Sequence, residues 1–492
     1  MKNDTTYYYV GTRDKNIKLT ASQAIVKGIC DDGGLFIPEV FPMLDKSLSE
    51  LSGLSYQALA YEILKLYLTD FTKEELMVCI NSAYDEKFDT PEIAPLVKKG
   101  DVSFLELFHG RTIAFKDMAL SILPYFMKTA AKKNDVDKEI VILTATSGDT
   151  GKAALEGFTG VDGIKIIVFF PEDGVSPVQK LQMTTQEGDN TCVVGIKGNF
   201  DDAQSAVKSI FTDESLNKEL DDKGYLFSSA NSINIGRLVP QVVYYFWAYF
   251  QMVKQGEIKL GEEINVTVPT GNFGNILAGY FAKKMGLPVK TFICASNDNK
   301  VLYDFFETGV YDKNRDFVVT TSPSMDILIS SNLERLLCIL SSQGKCKELM
   351  DGLSKEGKYS FDISKENIKG CWANEEETSK AIKAMYDKTG YVMDTHTAVA
   401  YVAYEKYKVA TKDDTKTVIV STASPYKFTK DVMVGIDEKY EKEDFFYLMK
   451  ELEKLWGISI PDPIKDIEKR PILHKIVIGK DEIKSFITKY LV

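Results

Sequence analysis

The 492-residue sequence predicts an α/β protein built on parallel sheets. Between about residues 100 and 435, short β-rich apolar runs alternate with helical stretches, which is the pattern of parallel βαβ units. The segment before residue 93 is instead predicted to be helical, and turns rich in glycine or hydroxyl groups follow several of the β-rich runs. Because ligands of open parallel sheets bind where the strands reach their carboxyl ends, these turns are the candidates for a functional site.

The N-terminal 92 residues are predicted to form a helical domain. The run ALAYEILKLYL has the apolar spacing of an amphipathic helix. A second helix is predicted at LMVCINSAY, because Thr72 and Glu75 have the spacing of a capping box directly before it.

The β-rich runs of the central region are predicted to be the strands of the sheets. They are IVILTAT at 140–146, IKIIVFF at 164–170, CVVGI at 192–196, INVTV at 264–268, VKTFICA at 289–295 and TVIVST at 417–422. The longest dense apolar run, VVYYFWAYF at 242–250, is too short to span a membrane and is predicted to be a buried helix. The last segment, 441–492, is charged and interrupted by prolines.

Composition and charge restrict the class of partner. A formal net charge of −11 argues against nucleic acid, whose binding depends on clustered Lys and Arg. Seven cysteines without a CxxC pair predict reduced thiols in a cytoplasmic protein, and three histidines give a zinc site few ligands, so no metal is expected. No run approaches the roughly 18 apolar residues of a membrane span, and MKNDTTYYYVGTR lacks the apolar core of a signal peptide. We therefore expect small-molecule chemistry away from membranes.

The turn PTGNFGNILAG is predicted to bind a phosphate group. It lies between a strand pattern ending at Val268 and a helical run from near Ile276, and amides at a helix N-terminus attract anions. Gly271, Gly274 and Gly279 would let the backbone approach the ligand closely. The turn has neither the GK[ST] ending of a nucleotide P-loop nor GxGxxG spacing, so a small phosphorylated cofactor or substrate is favoured.

Lys116, in HGRTIAFKDMAL, is the candidate nucleophile. Its apolar neighbours would desolvate the amine, lower its pKa and leave it reactive, although a single lysine is usually a solvated surface charge. Three other motifs also have plain structural interpretations. SGDTG is equally consistent with a helix capped by Ser147 or Asp149. His396 is predicted to be a satisfied structural histidine on an apolar helix face, and STASP could be only a strand end before Pro425.

A phosphate-binding turn, a desolvated lysine and hydroxyl-bearing strand ends together fit pyridoxal 5′-phosphate, which needs an amine for a Schiff base, N–H donors for its phosphate and a partner for its ring nitrogen. At these residues the chain resembles the threonine synthases of the longer microbial and fungal type, within the tryptophan-synthase-β-like, fold type II class of pyridoxal phosphate enzymes. The resemblance covers nearly the whole chain. Its motifs include VKGICDDGGLFIPE, ELFHGRTIAFKDMAL, ILTATSGDTGKAALEGF, SSANSINIGRLVPQVVYYF, VPTGNFGNILAGYF, SPSMDILISSNLERLL and DTHTAVAY.

One motif departs from the family. Where the family usually has TAHPAKF, this chain has Thr422, Ala423, Ser424, Pro425, Tyr426, Lys427 and Phe428. The histidine is replaced by Ser424, so no role is carried over to that position, whereas Thr422 is kept.

The resemblance implies a domain organisation. An N-terminal helical domain (1–92) precedes a catalytic region (93–440), and a C-terminal segment (441–492) follows. Within the catalytic region, we expect a large domain at 93–135 and 235–440 and a smaller, lid-like domain at 136–234.

The resemblance also implies roles for individual residues. Lys116 is expected to hold the cofactor and to transfer protons, and Thr422 to face the pyridine nitrogen. The cofactor phosphate is expected at the main chain of Gly271, Asn272, Phe273, Gly274 and Asn275. The substrate carboxylate is expected at Ser147, Asp149 and Thr150, although a carboxylate at Asp149 would repel it, so that Asp149 would instead contact the cofactor ring oxygen or be solvated. The substrate phosphate is expected at Asn231, Ser232 and Arg237, since a guanidinium matches phosphate oxygens.

The reaction implied is the conversion of O-phospho-L-homoserine and water to L-threonine and phosphate. Two alternatives stay open at this point: a lyase on the same scaffold that releases 2-oxobutyrate, and a non-catalytic protein that binds the cofactor or phosphate. A monomer is expected by analogy with the family, with a dimer as the alternative.

Overall fold

A computed structural model describes residues 7–146, 148–173, 175–198, 200–211 and 213–491. The strands are β1 (Tyr9–Gly11), β2 (Lys18–Leu19), β3 (Phe36–Pro38), β4 (Leu96–Lys99), β5 (Val102–Glu106), β6 (Glu139–Ala145), β7 (Ile164–Pro171), β8 (Thr191–Lys197), β9 (Tyr225–Ser228), β10 (Ile264–Pro269), β11 (Val289–Ser296), β12 (Val310–Asp312), β13 (Lys358–Ser360), β14 (Ile368–Trp372), β15 (Thr417–Ser421) and β16 (Ile476–Gly479).

The helices of the first half are α1 (Ala21–Lys27), α2 (Leu48–Leu51), α3 (Tyr56–Tyr67), α4 (Lys73–Ala83), α5 (Asp117–Leu120), α6 (Leu123–Lys133), α7 (Asp149–Phe158), α8 (Pro177–Thr184), α9 (Phe200–Phe211), α10 (Glu214–Asp222), α11 (Ile235–Leu238) and α12 (Gln241–Lys254). Those of the second half are α13 (Gly274–Lys284), α14 (Val301–Thr308), α15 (Leu333–Leu340), α16 (Gln343–Lys355), α17 (Glu375–Thr389), α18 (Thr395–Thr411), α19 (Thr429–Ile436), α20 (Phe445–Trp456) and α21 (Ile483–Leu491).

Two sheets organise the molecule. The larger has the order β14-β11-β10-β15-β5-β4, and the smaller has the order β16-β8-β7-β6-β9. All pairs are parallel except β4 with β5, which is antiparallel. The α/β class, the parallel sheets and the six predicted strands are confirmed.

The predicted helices are confirmed as well. Thr72 and Glu75 form the capping box of α4, with Glu75 N donating to Thr72 Oγ1 at 3.2 Å and Thr72 N donating to Glu75 Oε2 at 2.8 Å. Helix α12 contains the predicted apolar run, and its residues 241–252 are all buried. No helix in the described ranges is long and apolar enough to cross a membrane.

Three parts of the fold differ from the sequence prediction. The N-terminal region is not purely helical, since β1, β2 and β3 form an antiparallel sheet of two- and three-residue strands, too short to show alternation. Strand β4 adds an antiparallel edge to the large sheet. The charged C-terminal segment supplies β16 to the edge of the small sheet and buries Ile483 and Ile487 of α21 in the core beneath it. The domain boundaries given above remain predictions.

The topology brings three loops together. Strands β10, β15 and β5 are consecutive in the large sheet and parallel, so their carboxyl ends lie at one edge. The chain after β10 enters the turn at 271–275, the chain after β15 enters 422–428, and the chain after β5 leads to Lys116.

Candidate active site

Lys116 lies buried at the start of α5, in a loop fixed to the end of β15. Phe115 N donates to Thr422 O at 2.8 Å, and Ser424 N donates to Ile113 O at 3.0 Å. These bonds hold the lysine loop against the segment that contains Thr422, which is itself buried. Lys116 is 8% exposed, so the expectation of a desolvated amine is met.

The Lys116 amine contacts a carboxylate and a hydroxyl group. Its Nζ lies 3.3 Å from Asp149 Oδ2 and 3.2 Å from Ser324 Oγ, and Ser324 Oγ donates to Asp149 Oδ2 at 3.1 Å. Burial lowers the pKa of Lys116, and the positive charges of Lys427 and Arg237 lower it further, against the opposing effect of Asp149.

Asp149 is the first residue of α7 and lies between two lysines. Its Oδ1 is 3.0 Å from Lys427 Nζ and accepts from Gln179 Nε2 at 2.8 Å. Burial alone would raise the pKa of Asp149, but Lys427, Lys116 and Gln179 bring it well below its usual range. Of the two alternatives for Asp149, solvation is wrong, because its side chain is 7% exposed and ion-paired, whereas contact with the cofactor ring oxygen stays a prediction.

Helix α7 is not capped by Asp149. Gly148 is the N-cap and has a φ of 135°. The hydroxyl of Thr146 accepts from Gly148 N and Gly151 N, at 2.9 Å each, so this threonine satisfies part of the first turn. Ser147 lies outside the described residues. Thr150 occupies the first turn of α7 and is half-buried.

The turn at 271–275 begins α13, and Phe273 is its N-cap. Phe273 has a left-handed φ of 62° and caps no amide with its side chain. The first amides of α13 therefore have the dipole and the orientation that attract an anion. Strain of this kind in a residue other than glycine is typical of functional turns.

Ser324 connects the turn to Lys116. A Cβ atom added to Gly271 would lie 2.4 Å from Ser324 O, so only glycine fits there, while the hydroxyl of the same serine contacts the Lys116 amine. The turn and the lysine thus border one site. Asn275 is held by Tyr244 and Tyr245, whose hydroxyls donate to its Oδ1 at 2.7 and 2.6 Å. Its buried Nδ2 has no hydrogen-bond partner in the described part of the chain.

A second layer fixes the turn and the serine. Ser330 Oγ donates to Gly271 O at 2.7 Å, and Asn332 Nδ2 donates to Asn272 O at 2.9 Å. Ser324 N donates to His396 Nε2 at 3.1 Å, and His396 Nδ1 lies 3.0 Å from Asp394 Oδ2. His396 is therefore the buried structural histidine that the sequence predicted, and it orients Ser324.

Arg237 is buried on α11, which packs against α5, α12 and α13. Its Nη1 donates to Ala230 O at 2.9 Å, and burial lowers its pKa to about 10. Within the described residues it makes no ion pair, although its charge is close enough to affect Lys116. Asn231 and Ser232 are half-buried in the loop before α11, and Asn231 N donates to Ser229 Oγ at 3.2 Å.

Four functional side chains were missed from the sequence: Lys427, Ser324, Gln179 and Thr146. Lys427 follows a strand end in a short apolar segment, which is a signal of the kind that drew attention to Lys116. Ser324 lies in a long irregular segment without periodicity, so nothing local indicated its position. Among the described residues no cluster of His, Cys, Asp or Glu has the arrangement of a metal site.

Comparisons with known proteins define the class first. The family described as "Pyridoxal-phosphate dependent enzyme" matches residues 91–423, and the one described as "Threonine synthase N terminus" matches residues 8–84. The fold and site thus belong to the fold type II pyridoxal phosphate enzymes.

The relatives define the family. Threonine synthase from Saccharomyces cerevisiae is 35% identical, over 94% of this chain and 96% of its own length. Threonine synthase-like 1 from Macaca fascicularis is 40% identical over 88% of this chain, but the chain spans only 60% of the length of that relative. The structure of a PLP-bound threonine synthase from Brucella melitensis superimposes with a TM-score of 0.85, at 33% identity and over 99% and 98% of the two chains. The chain belongs to the threonine synthase family.

Proposed function

We propose that this chain is a threonine synthase, which uses pyridoxal 5′-phosphate to convert O-phospho-L-homoserine and water to L-threonine and phosphate. The observation that carries the proposal is the shared site of the Lys116 amine and the turn at 271–275, joined through Ser324. Membership of the threonine synthase family agrees with it.

The residues of the site fit the cofactor. Lys116 offers a buried amine of lowered pKa, which suits a covalent bond to an aldehyde. The turn Gly271–Asn272–Phe273–Gly274–Asn275 offers main-chain amides at a helix N-terminus, and the buried Nδ2 of Asn275 adds an unpaired donor. Thr422, fixed beside Phe115, is the proposed partner of the pyridine nitrogen, and its hydroxyl group would not force the ring to be protonated.

When bound, pyridoxal phosphate withdraws electrons from the α-carbon of an amino acid and so acidifies the proton there. We assign the removal of that proton, and the later proton transfers at the β-carbon, to the Lys116 amine. Arg237, with Asn231 and Ser232, binds the γ-phosphate and stabilises it as it leaves, because a guanidinium pairs with two phosphate oxygens at once. Thr150, in the first turn of α7, and Ser147, which lies outside the described residues, are assigned to the carboxylate of the substrate.

The small domain closes the site in this proposal. Asp149 comes from α7, which packs on β7 of the small sheet, whereas Lys116, Ser324 and Lys427 belong to the large-sheet side. Arg237 lies on α11, which packs against α5 and α13 and so belongs with Lys116. A closed arrangement keeps bulk water from intermediates that would otherwise hydrolyse to an oxo acid.

The test is an assay of both products. Purified protein loaded with the cofactor and given O-phospho-L-homoserine should release phosphate and L-threonine in equal amounts. Phosphate together with 2-oxobutyrate, without threonine, would make the protein the lyase considered above. If neither product is formed, the protein would be the non-catalytic binding protein.

Lys116→Ala should abolish the visible absorbance of the bound cofactor and lower kcat by at least about a thousandfold, because the variant loses both the attachment point and the proton carrier. Lys132→Ala, at an exposed position of α6, is the control and should keep colour and turnover. A Lys116→Ala protein that turns over at the normal rate would contradict the assignment.

We also propose a cytoplasmic enzyme that acts as a monomer. The described cysteines form no disulfide, which suits a reducing compartment. Sedimentation at micromolar concentration tests the monomer, and localisation of the tagged protein tests the compartment.

A further inference from the structure

Two buried lysines share one buried carboxylate at the site. Asp149 Oδ2 lies 3.3 Å from Lys116 Nζ, and Asp149 Oδ1 lies 3.0 Å from Lys427 Nζ. The Lys427 side chain is 0% exposed, and among the described residues the only other polar contact of its amine is with Thr112 O at 2.9 Å. Lysines are almost never fully buried unless they are paired, so this second lysine requires an explanation.

The two amines differ in the partners they contact. Lys427 contacts a carboxylate and a main-chain carbonyl, which are both acceptors and both favour a charged donor. Lys116 contacts the same carboxylate at a longer distance, together with the Ser324 hydroxyl, which is able to donate or to accept. Lys116 is therefore the amine that can lose its proton at least cost.

The charges around Lys116 come from three elements. Asp149 belongs to α7, Lys427 to the 3-10 turn Pro425–Phe428 after β15, and Arg237 to α11. A second carboxylate, Asp117, is buried beside them and accepts from Thr112 N and Oγ1; burial raises its pKa to about 6, against the charge of Lys427. If Lys116 is neutral, the Asp149 charge stays paired with Lys427, whereas without Lys427 it would be paired with Lys116 alone.

We propose that Lys427 is a positioning residue that keeps Asp149 ionised and paired while Lys116 is neutral, so that Lys116 is free to act as nucleophile and base. The inference rests on the proposed role of Lys116 in the reaction. Gln179 supports the arrangement, because its amide donates to the same carboxylate oxygen that Lys427 contacts.

The proposal is tested by titrating the visible absorbance of the holoenzyme without substrate, since the band responds to the protonation state of the cofactor-linked Lys116 nitrogen. Lys427→Met removes a nearby positive charge and should raise the apparent pKa of the band by about one unit. Asp149→Asn removes a negative charge and should lower it. Lys427→Arg keeps the charge and should stay close to the wild type.

A matched control is Lys290→Met, which breaks a lysine–aspartate pair with Asp413 at the opposite end of the large sheet and should leave the titration unchanged. The apparent pKa of the band should rise in Lys427→Met and fall in Asp149→Asn, and such opposite shifts are not expected of residues that only maintain packing. If Lys427→Met does not fold, the titrations of Asp149→Asn and Lys427→Arg test the proposal instead. An apparent pKa of the band that is unchanged in Asp149→Asn overturns the proposal.

The outcomes separate this inference from the proposed function. A wild-type protein that shows the band while Lys427→Met titrates at the same pH overturns the role of Lys427 alone. A wild-type protein that develops no band with added pyridoxal phosphate overturns both. A product assay that yields 2-oxobutyrate changes the named reaction and leaves the titration result standing.

Discussion

Two buried arginines, in the regions 230–238 and 330–335, differ in how their charges are satisfied. Arg335 donates to three acceptors: to Phe36 O at 2.8 Å, to Asn332 Oδ1 and to Ile233 O. The guanidinium of Arg237 makes one hydrogen bond in the described part of the chain, to Ala230 O. Burial lowers the pKa of each to about 10.

The difference separates structure from function. A buried guanidinium with three acceptors joins the segments that supply them. Arg335 connects residues 330–335, which hold the turn at 271–275, to β3 and to the loop before α11. A buried guanidinium with one acceptor keeps donors available for an anion. Removal of the first should therefore cost stability, and removal of the second should cost activity.

The largest expected effect is on catalysis, in Arg237→Met. Two charge-assisted hydrogen bonds to a substrate phosphate contribute together about 4 kcal/mol, so kcat/KM should fall about a thousandfold. The free energy of unfolding should change by less than about 1 kcal/mol, because the lost bond to Ala230 O is offset by relief of a buried charge. Steady-state kinetics and urea unfolding of the holoenzyme measure the two quantities.

Arg237→Lys is the companion variant, since it keeps the charge but loses the planar fork, and it should recover only part of the activity. An Arg237→Met enzyme that is destabilised by several kcal/mol but keeps its activity would show that Arg237 is structural.

Arg335→Met should show the opposite pattern, with a smaller effect on catalysis than on folding. It leaves three buried acceptors without their donor, at about 1 kcal/mol or more each, so the free energy of unfolding should fall by about 3 kcal/mol. Urea unfolding of Arg335→Met and Arg237→Met under the same conditions compares their free energies of unfolding. Equal stability of the two variants would mean that the number of acceptors does not separate a structural arginine from a functional one.

The sequence predicted the parts of this site that have a local pattern. Strands β6, β7, β8, β10, β11 and β15 are long, apolar and buried, and their ends placed the turns correctly. Lys116 could be chosen because apolar neighbours surround it in the chain. The turn at 271–275 could be chosen because glycines follow a strand.

The rest depended on contacts between distant parts of the chain. Lys427 meets Asp149 across 278 positions, and neither residue carries a local sign of the other. Ser324 is placed by His396, and its loop has no periodicity to interpret. Arg237 and Arg335 look alike in sequence, each on a helix with apolar neighbours, and only the count of their acceptors distinguishes them.

The smallest effect is expected at His109, a half-buried cation that carboxylates satisfy. Its Nδ1 lies 2.6 Å from Asp89 Oδ1, and its Nε2 lies 3.0 Å from Glu106 Oε2. Burial alone would lower the pKa of His109, but the two carboxylates raise it to about 9. Since the ordinary value is about 6.5, the charged form is favoured in the folded protein.

Because the folded-state pKa is the higher one, this stabilisation is fully present below about pH 6.5 and is lost as the pH rises through about 9. His109→Gln keeps the hydrogen-bonding shape without the charge and should be less stable than the wild type by about 2 kcal/mol at pH 6, with the gap closing by pH 9.5. Urea unfolding at pH 6, 7.5 and 9.5 measures the gap. A difference in the free energy of unfolding that does not depend on pH would mean that His109 is neutral. Carbonyl and amide oxygens, as around Arg335, would then be the way in which this fold satisfies a buried cation.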